Sequence, residues 1–135
     1  LVSSIVCWQS HLQKTVVLSS TEAKYMAMSD TCQQIVWIQS LFQELGYNLV
    51  PTPICGNNQG SIFIGSNPVQ EWWTKHIDIH YHYICKCIED GKVSVYFVPG
   101  NENPADMFTK NLGTIDFLCF RKHLGIKFLD DKSST

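Results

Sequence analysis

The sequence predicts a mixed α/β layer domain. Short β-branched or alternating apolar runs and longer stretches with apolar residues at helical spacing interleave in the order β-β-α-β-α-α-β-α. A length of 135 residues allows one such domain with a real core. Hydrophobic content of 44% with 12% aromatic is globular rather than disordered.

Taken in order, Ser4–Ser10 and Lys14–Leu18 read as strands with β-branched centres. Ser19 followed by Glu22 is a capping-box pattern that opens a helix running to about Leu45, with Gly46 as its stop. Ile35, Ile38, Leu41, Phe42 and Leu45 supply a stripe expected to be core, with Trp37 beside it. Thr52–Cys55 is a short strand, and Asn57-Asn58-Gln59-Gly60 turns the chain into a second helix ending near Asn67-Pro68. A third helix, Lys75–Glu89, places Ile77, Tyr81, Ile84 and Ile88 on one face and stops at Asp90-Gly91. Val93, Val95 and Phe97 alternate as a strand. A short helix from Pro104 and a last one over Phe117–Leu124 close the domain, and the tail Asp130–Thr135 is polar.

Composition removes several function classes. Only 16% of residues are charged and the net charge is −2, so no basic footprint marks a nucleic-acid binder. Arg121 is the one arginine among ten basic residues. The six cysteines lack the spacing of a disulfide framework, and no signal peptide precedes them, which predicts an intracellular, reduced protein. No apolar run approaches the ~20 residues of a membrane span, so no membrane partner is expected. The chain begins with Leu1 and reads as a piece of something longer.

Four stretches carry a family resemblance. They are Trp8-Gln9-Ser10 through Ser19-Ser20-Thr21-Glu22-Ala23-Lys24-Tyr25-Met26-Ala27; Gly56-Asn57-Asn58-Gln59-Gly60-Ser61; Thr74-Lys75-His76-Ile77-Asp78-Ile79; and Asn103-Pro104-Ala105-Asp106-Met107-Phe108-Thr109-Lys110. In this order and spacing they resemble the C-terminal RNase H domain of copia-type LTR retrotransposon Gag-Pol polyproteins. The resemblance covers about residues 4–125 and implies an RNase H-like mixed sheet with flanking helices. It also implies N-terminal truncation, with the first strand and most of the second missing. Residues 1–125 are then the domain fragment and 126–135 a polar C-terminal tail. The absent strand would leave an exposed sheet edge and lower stability.

The family hydrolyses the RNA strand of RNA–DNA hybrids during reverse transcription, downstream of a reverse transcriptase in the same polyprotein. Two Mg²⁺ ions held by four acidic side chains activate water and stabilise the leaving oxygen. Carried over residue by residue, the first Asp falls on the missing strand. The Glu position is Lys24 and the middle Asp position is Asn57, which leaves Asp106 as the one remaining family acid and sole metal ligand. Glu22 neighbours the Glu position but lies about 200° around a helix from Lys24. An ammonium in place of a carboxylate repels the cations by several kcal/mol even at an effective dielectric of ~20. A catalytically inactive remnant without bound Mg²⁺ is therefore expected. Asn58, Gln59, Lys75 and His76 are the nucleic-acid contacts that the resemblance implies. An active metal-dependent hybrid nuclease and a non-catalytic nucleic-acid-binding module are the alternatives.

Further departures share a pattern. His11, Gln33, Trp72, Trp73, His80 and Cys85 stand where the family usually has Arg, Lys86 where it has Glu, and Val17 and Thr31 where it has Ala. With Lys24 and Asn57, each is reachable by one C→T or G→A transition, the mark of a decaying element copy. His76, His80, His82, Cys85 and Cys87 invite a zinc reading, but their spacing matches no standard finger. Trp72-Trp73 resembles a stacking platform less than it does two lost arginines. Cys32 and Cys55 read as structural thiols rather than nucleophiles.

Overall fold

A computed structural model describes residues 5–14, 16, 19–57 and 75–127. These fall into two compact units, one formed by residues 13–99 and the other by residues 5–12 with 100–127.

The first unit begins with α1 (Ser20–Glu44), capped where the sequence predicts: the Ser19 hydroxyl accepts from the Glu22 N–H at 3.2 Å. It ends at Gly46, whose φ of +86° suits glycine. Gly46 N–H donates to Gln43 O and Tyr47 N–H to Phe42 O, while the Phe42 and Tyr47 rings meet edge-on at 6.0 Å. That is a Schellman stop with its apolar contact. β1 (Thr52–Gly56) and β2 (Val93–Phe97) then pair in parallel, from Thr52↔Val93 to Gly56↔Phe97. Between them in sequence lies α2 (Lys75–Glu89), which ends on Gly91 at φ +66°. The β1–α2–β2 crossover is what a parallel pair requires, since a tight hairpin cannot join parallel strands.

The core of this unit is Tyr25, Met28, Cys32, Ile54, Tyr81, Ile84, Cys87 and Val93, so α1, α2 and one face of the sheet meet in a single cluster. Ile54 and Val93 point into it, whereas the register partners Cys55 and Tyr96 are exposed on the opposite face. Each fully buried Ile or Val stabilises the fold by about 1.5–3 kcal/mol relative to exposure.

Of the expected stripe on α1, Ile35 packs against this cluster, but the rest requires correction. Trp37 is 64% exposed and Leu45 64%, and Leu41 is exposed as well. The buried residues are Glu22, Tyr25, Met26, Met28, Ser29, Cys32 and Gln39. This face is rotated by about 150° from the one hydrophobicity alone selects, at about 100° per residue. Gln39 explains its position: its amide Nε2–H group donates to Thr52 Oγ1 at 2.9 Å and to Lys92 O at 2.8 Å, bridging α1 to the starts of both strands. A polar side chain with two good acceptors is buried without penalty.

In the second unit, residues 5–12 form no strand, contrary to the strand expected over Ser4–Ser10. Val6, Trp8 and Leu12 are exposed, and no ladder partner lies alongside among the described residues. An unpaired backbone has no reason to hold strand geometry. Two short 3₁₀ turns, Gly100–Glu102 and Pro104–Phe108, precede α3 (Thr114–His123). This helix starts three residues before the expected Phe117. Gly113 serves as its N-cap, with Asp116 in the first turn and Arg121, Lys122 and His123 in the last, a charge order that complements the helix dipole. Phe120 is the buried side chain of α3, and Trp8 stacks on Phe108 with ring centroids 5.7 Å apart.

The fold shown is therefore mixed α/β with a two-stranded parallel sheet and three α-helices among the described residues. The second helix expected between Asn57 and Pro68, most of the Lys14–Leu18 strand and most of the polar tail lie outside them.

Candidate functional site

Asp106 sits in the 3₁₀ turn Pro104–Phe108, in the place of the short helix expected from Pro104 and ahead of the last α-helix. The sequence builds this turn locally. Asn103 caps it, its Oδ1 accepting from Ala105 N–H at 3.1 Å, and Pro104 fixes φ at the first turn position, where a missing N–H costs nothing. Asp106 is 8% exposed. Its backbone carbonyl accepts from Thr109 N–H at 3.1 Å and Lys110 N–H at 2.8 Å. Its carboxylate Oδ2 accepts from Lys110 Nζ at 2.6 Å. The Asp106 carboxylate is thus held by an ammonium four residues on. Lys110 is the functional partner that the residue-by-residue reading missed, although an acid and a lysine at i,i+4 were there to signal it.

In the other unit, Lys24 lies in the first turns of α1 and is exposed, whereas Glu22 is 3% exposed. The two residues face differently, as their helical separation requires. Asn57 follows the last residue of β1 and is exposed. Lys75 and His76 form the first turn of α2. Asn58, Gln59, Trp72 and Trp73 lie outside the described residues.

Asp106, a single carboxylate already bonded to an ammonium, cannot by itself supply the oxygen-rich octahedra that Mg²⁺ demands. Among the described residues, no three His, Cys, Asp or Glu side chains come together to hold any metal. The residues of the zinc reading on α2 are spent differently. His80 Nδ1 lies 2.9 Å from the Ser29 hydroxyl, His82 Nε2 lies 3.2 Å from Asp78 Oδ1, and Cys87 is buried in the core.

The perturbed titratable groups lie between α1 and α2. Burial, reinforced by neighbouring Cys87, pushes the Cys32 thiol up to about 12. Burial likewise raises Tyr25, with Cys85 adding to it, and raises Tyr81 and Tyr83, which share hydrogen bonds with Cys85 and Cys87. Cys85 is also raised by burial, although its bond to Tyr81 opposes the shift. All five are held neutral, which favours packing over reactivity. A polar cleft of about 230 Å³ lies at the C-terminal end of α1, lined by Gln39, Gln43, Tyr47, Asn48, Asp90 and Lys92 among others. No helix among the described residues is long and apolar enough to cross a membrane.

Comparison with known proteins gives the chain its relatives. It is 40% identical over 105 residues, 78% of its length, to the retrovirus-related Pol polyprotein from transposon TNT 1-94 of Nicotiana tabacum. It is 37% identical over 123 residues, 90% of its length, to the corresponding polyproteins from transposons RE2 and RE1 of Arabidopsis thaliana. No family model and no solved structure matches it. The chain spans about 8% of the length of each of these relatives. Its homologues are copia-type, retrovirus-related Pol polyproteins of plant transposons, and the chain corresponds to one short segment of them.

Proposed function

We propose that this segment is a remnant of the RNase H domain of a retrotransposon Pol polyprotein, with an RNase H-like fold, and that it no longer hydrolyses RNA–DNA hybrids. The observation that carries the reading is the donor set: Lys24 and Asn57 at two acid positions, and Asp106 bonded to Lys110 at 2.6 Å. Homology to Pol polyproteins over most of the chain supports its origin. In the parent polyprotein the neighbouring function is reverse transcription and the substrate is the RNA–DNA hybrid. Paired carboxylates are what generate a metal-bound water in such enzymes, and among the described residues no group of acids comes together to do so.

The test is cleavage of a labelled RNA–DNA hybrid by the purified chain in Mg²⁺ and then Mn²⁺. No cleavage is expected from the folded chain in either metal. Cleavage abolished by Asp106→Asn would show that the acid positions are carried over wrongly and that the domain is a working nuclease.

A further inference from the structure

A second candidate site is the polar cleft of about 230 Å³ built within residues 13–99, where α1 and α2 both end. The two helices stop in the same way there. Gly91, like Gly46, has a positive φ, and its N–H donates to Ile88 O while Lys92 N–H donates to Cys87 O. That is a second Schellman turn, and the pair of turns supplies the walls of the cleft. Gln39 ties one wall to the other, its amide donating to Lys92 O at 2.8 Å and to Thr52 Oγ1 at 2.9 Å. The cavity is therefore preformed.

Gln39 is 7% exposed, and both N–H groups of its amide are committed to those two bonds. This fixes its side-chain oxygen, which has no hydrogen-bond partner among the described residues. Asp90 and Lys92 bring opposite charges to the lining on either side of Gly91, and neither forms an ion pair among the described residues. We propose that the cleft binds a free α-amino acid as its zwitterion. The ligand's ammonium donates to the Asp90 carboxylate and the Gln39 oxygen, and its carboxylate accepts from the Lys92 ammonium. The amides of Gln43 and Asn48 and the Tyr47 phenol remain for the ligand's side chain. Sites for drug-sized ligands hold about 300–1,000 Å³ and are mostly apolar, so a smaller, polar cavity suits a small polar occupant. A lone cation would be repelled by Lys92 and a lone anion by Asp90, whereas a zwitterion satisfies both. Asp90 is exposed, so the binding is weak and falls with added salt.

The experiment follows the backbone amide resonances of the full, isotope-labelled chain by NMR while L-glutamine, acetate or methylamine is added. L-glutamine should saturate in the millimolar range, with shifts confined to Gln39, Gln43, Asn48, Gly91 and Lys92. Acetate and methylamine, each carrying half of the zwitterion, should move these resonances far less at equal concentration. Asp90→Asn and Lys92→Met should each weaken L-glutamine binding about tenfold or more, the worth of one charged hydrogen bond. Both variants keep the backbone bonds that build the turns, so their spectra should stay dispersed. Shifts that do not saturate, an equal response to acetate or methylamine, or unchanged affinity in the two variants would overturn the proposal. None of these readouts depends on nuclease activity, so the result stands apart from the proposed function.

Discussion

The two halves of α1 solve opposite problems. In the first, Ser20–Cys32, a stripe of Tyr25, Met28, Ser29 and Cys32 is buried against α2 and the sheet. In the second, Gln33–Glu44, the large apolar side chains Trp37 and Leu41 are exposed, and the fully buried residue is the polar Gln39. Length accounts for the difference. With 25 residues α1 extends for about 37 Å, whereas the 15 residues of α2 cover about 22 Å. Beyond Ile35 and Val36, which pack against the cluster, the second half outruns its helical partner. At the strand starts a backbone carbonyl and a threonine hydroxyl reward an amide rather than a methyl group.

The largest effect that would break this comparison comes from the shared core of the first half. Ile84, 0% exposed on α2 and packed in the same cluster, should cost about 3 kcal/mol when replaced by Ala, read as a fall in the urea midpoint. A cost below about 1 kcal/mol would mean that this half is no better packed than the second.

Alkali should act on the same half. Cys32 is raised to about 12, and Tyr25, Tyr81, Tyr83 and Cys85 are raised too. Each of these groups keeps its proton longer when folded than when unfolded. The folded state therefore binds more protons between the two values, and stability falls as pH rises. The urea midpoint should be flat up to about pH 8, near the free thiol value, and then decline progressively towards pH 12. A midpoint unchanged at pH 11 would remove the buried thiol and phenol cluster as a source of stability.

Gln39→Ala comes next, at about 1–2 kcal/mol, because it strips a donor from Thr52 Oγ1 and Lys92 O. Equilibrium unfolding would check it, and a neutral result would mean water replaces the amide there. Smallest of all, Leu45→Lys should change stability by no more than about 0.5 kcal/mol. A loss as large as that of Ile84→Ala would place Leu45 in a core that the exposed side chain does not show.

Legibility in the sequence tracked how local the determining interaction is. The Ser19 cap and the Gly46 and Gly91 stops were readable because each depends on neighbours within a few residues. Both strands were readable because their short apolar runs mark them, even though their pairing is distant. The buried face of α1 was not, since Ser29 and Gln39 owe their burial to His80, Thr52 and Lys92, which are distant in sequence. The N-terminal strand failed for the same reason: β-branched residues favour an extended chain, but only a partner strand makes it a ladder. At the candidate site, Lys24 and Asn57 count as charge changes only through the resemblance. The short turn from Pro104 was readable too, because Asn103 and Pro104 cap it locally, but the Lys110 ammonium on Asp106 was not read.

The parallel pairing of β1 and β2 also sets a timetable for synthesis. Thr52 cannot meet Val93 until the intervening chain has been made, and at roughly 5–20 residues per second that wait is about 2–8 seconds. Through that interval α1 has both of its caps encoded, but Ile54 has neither its ladder nor its core. A stop codon or frameshift between the two strands therefore does not trim the sheet that the described residues form; it abolishes it, and leaves behind a helix with its apolar face open to chaperones and proteases.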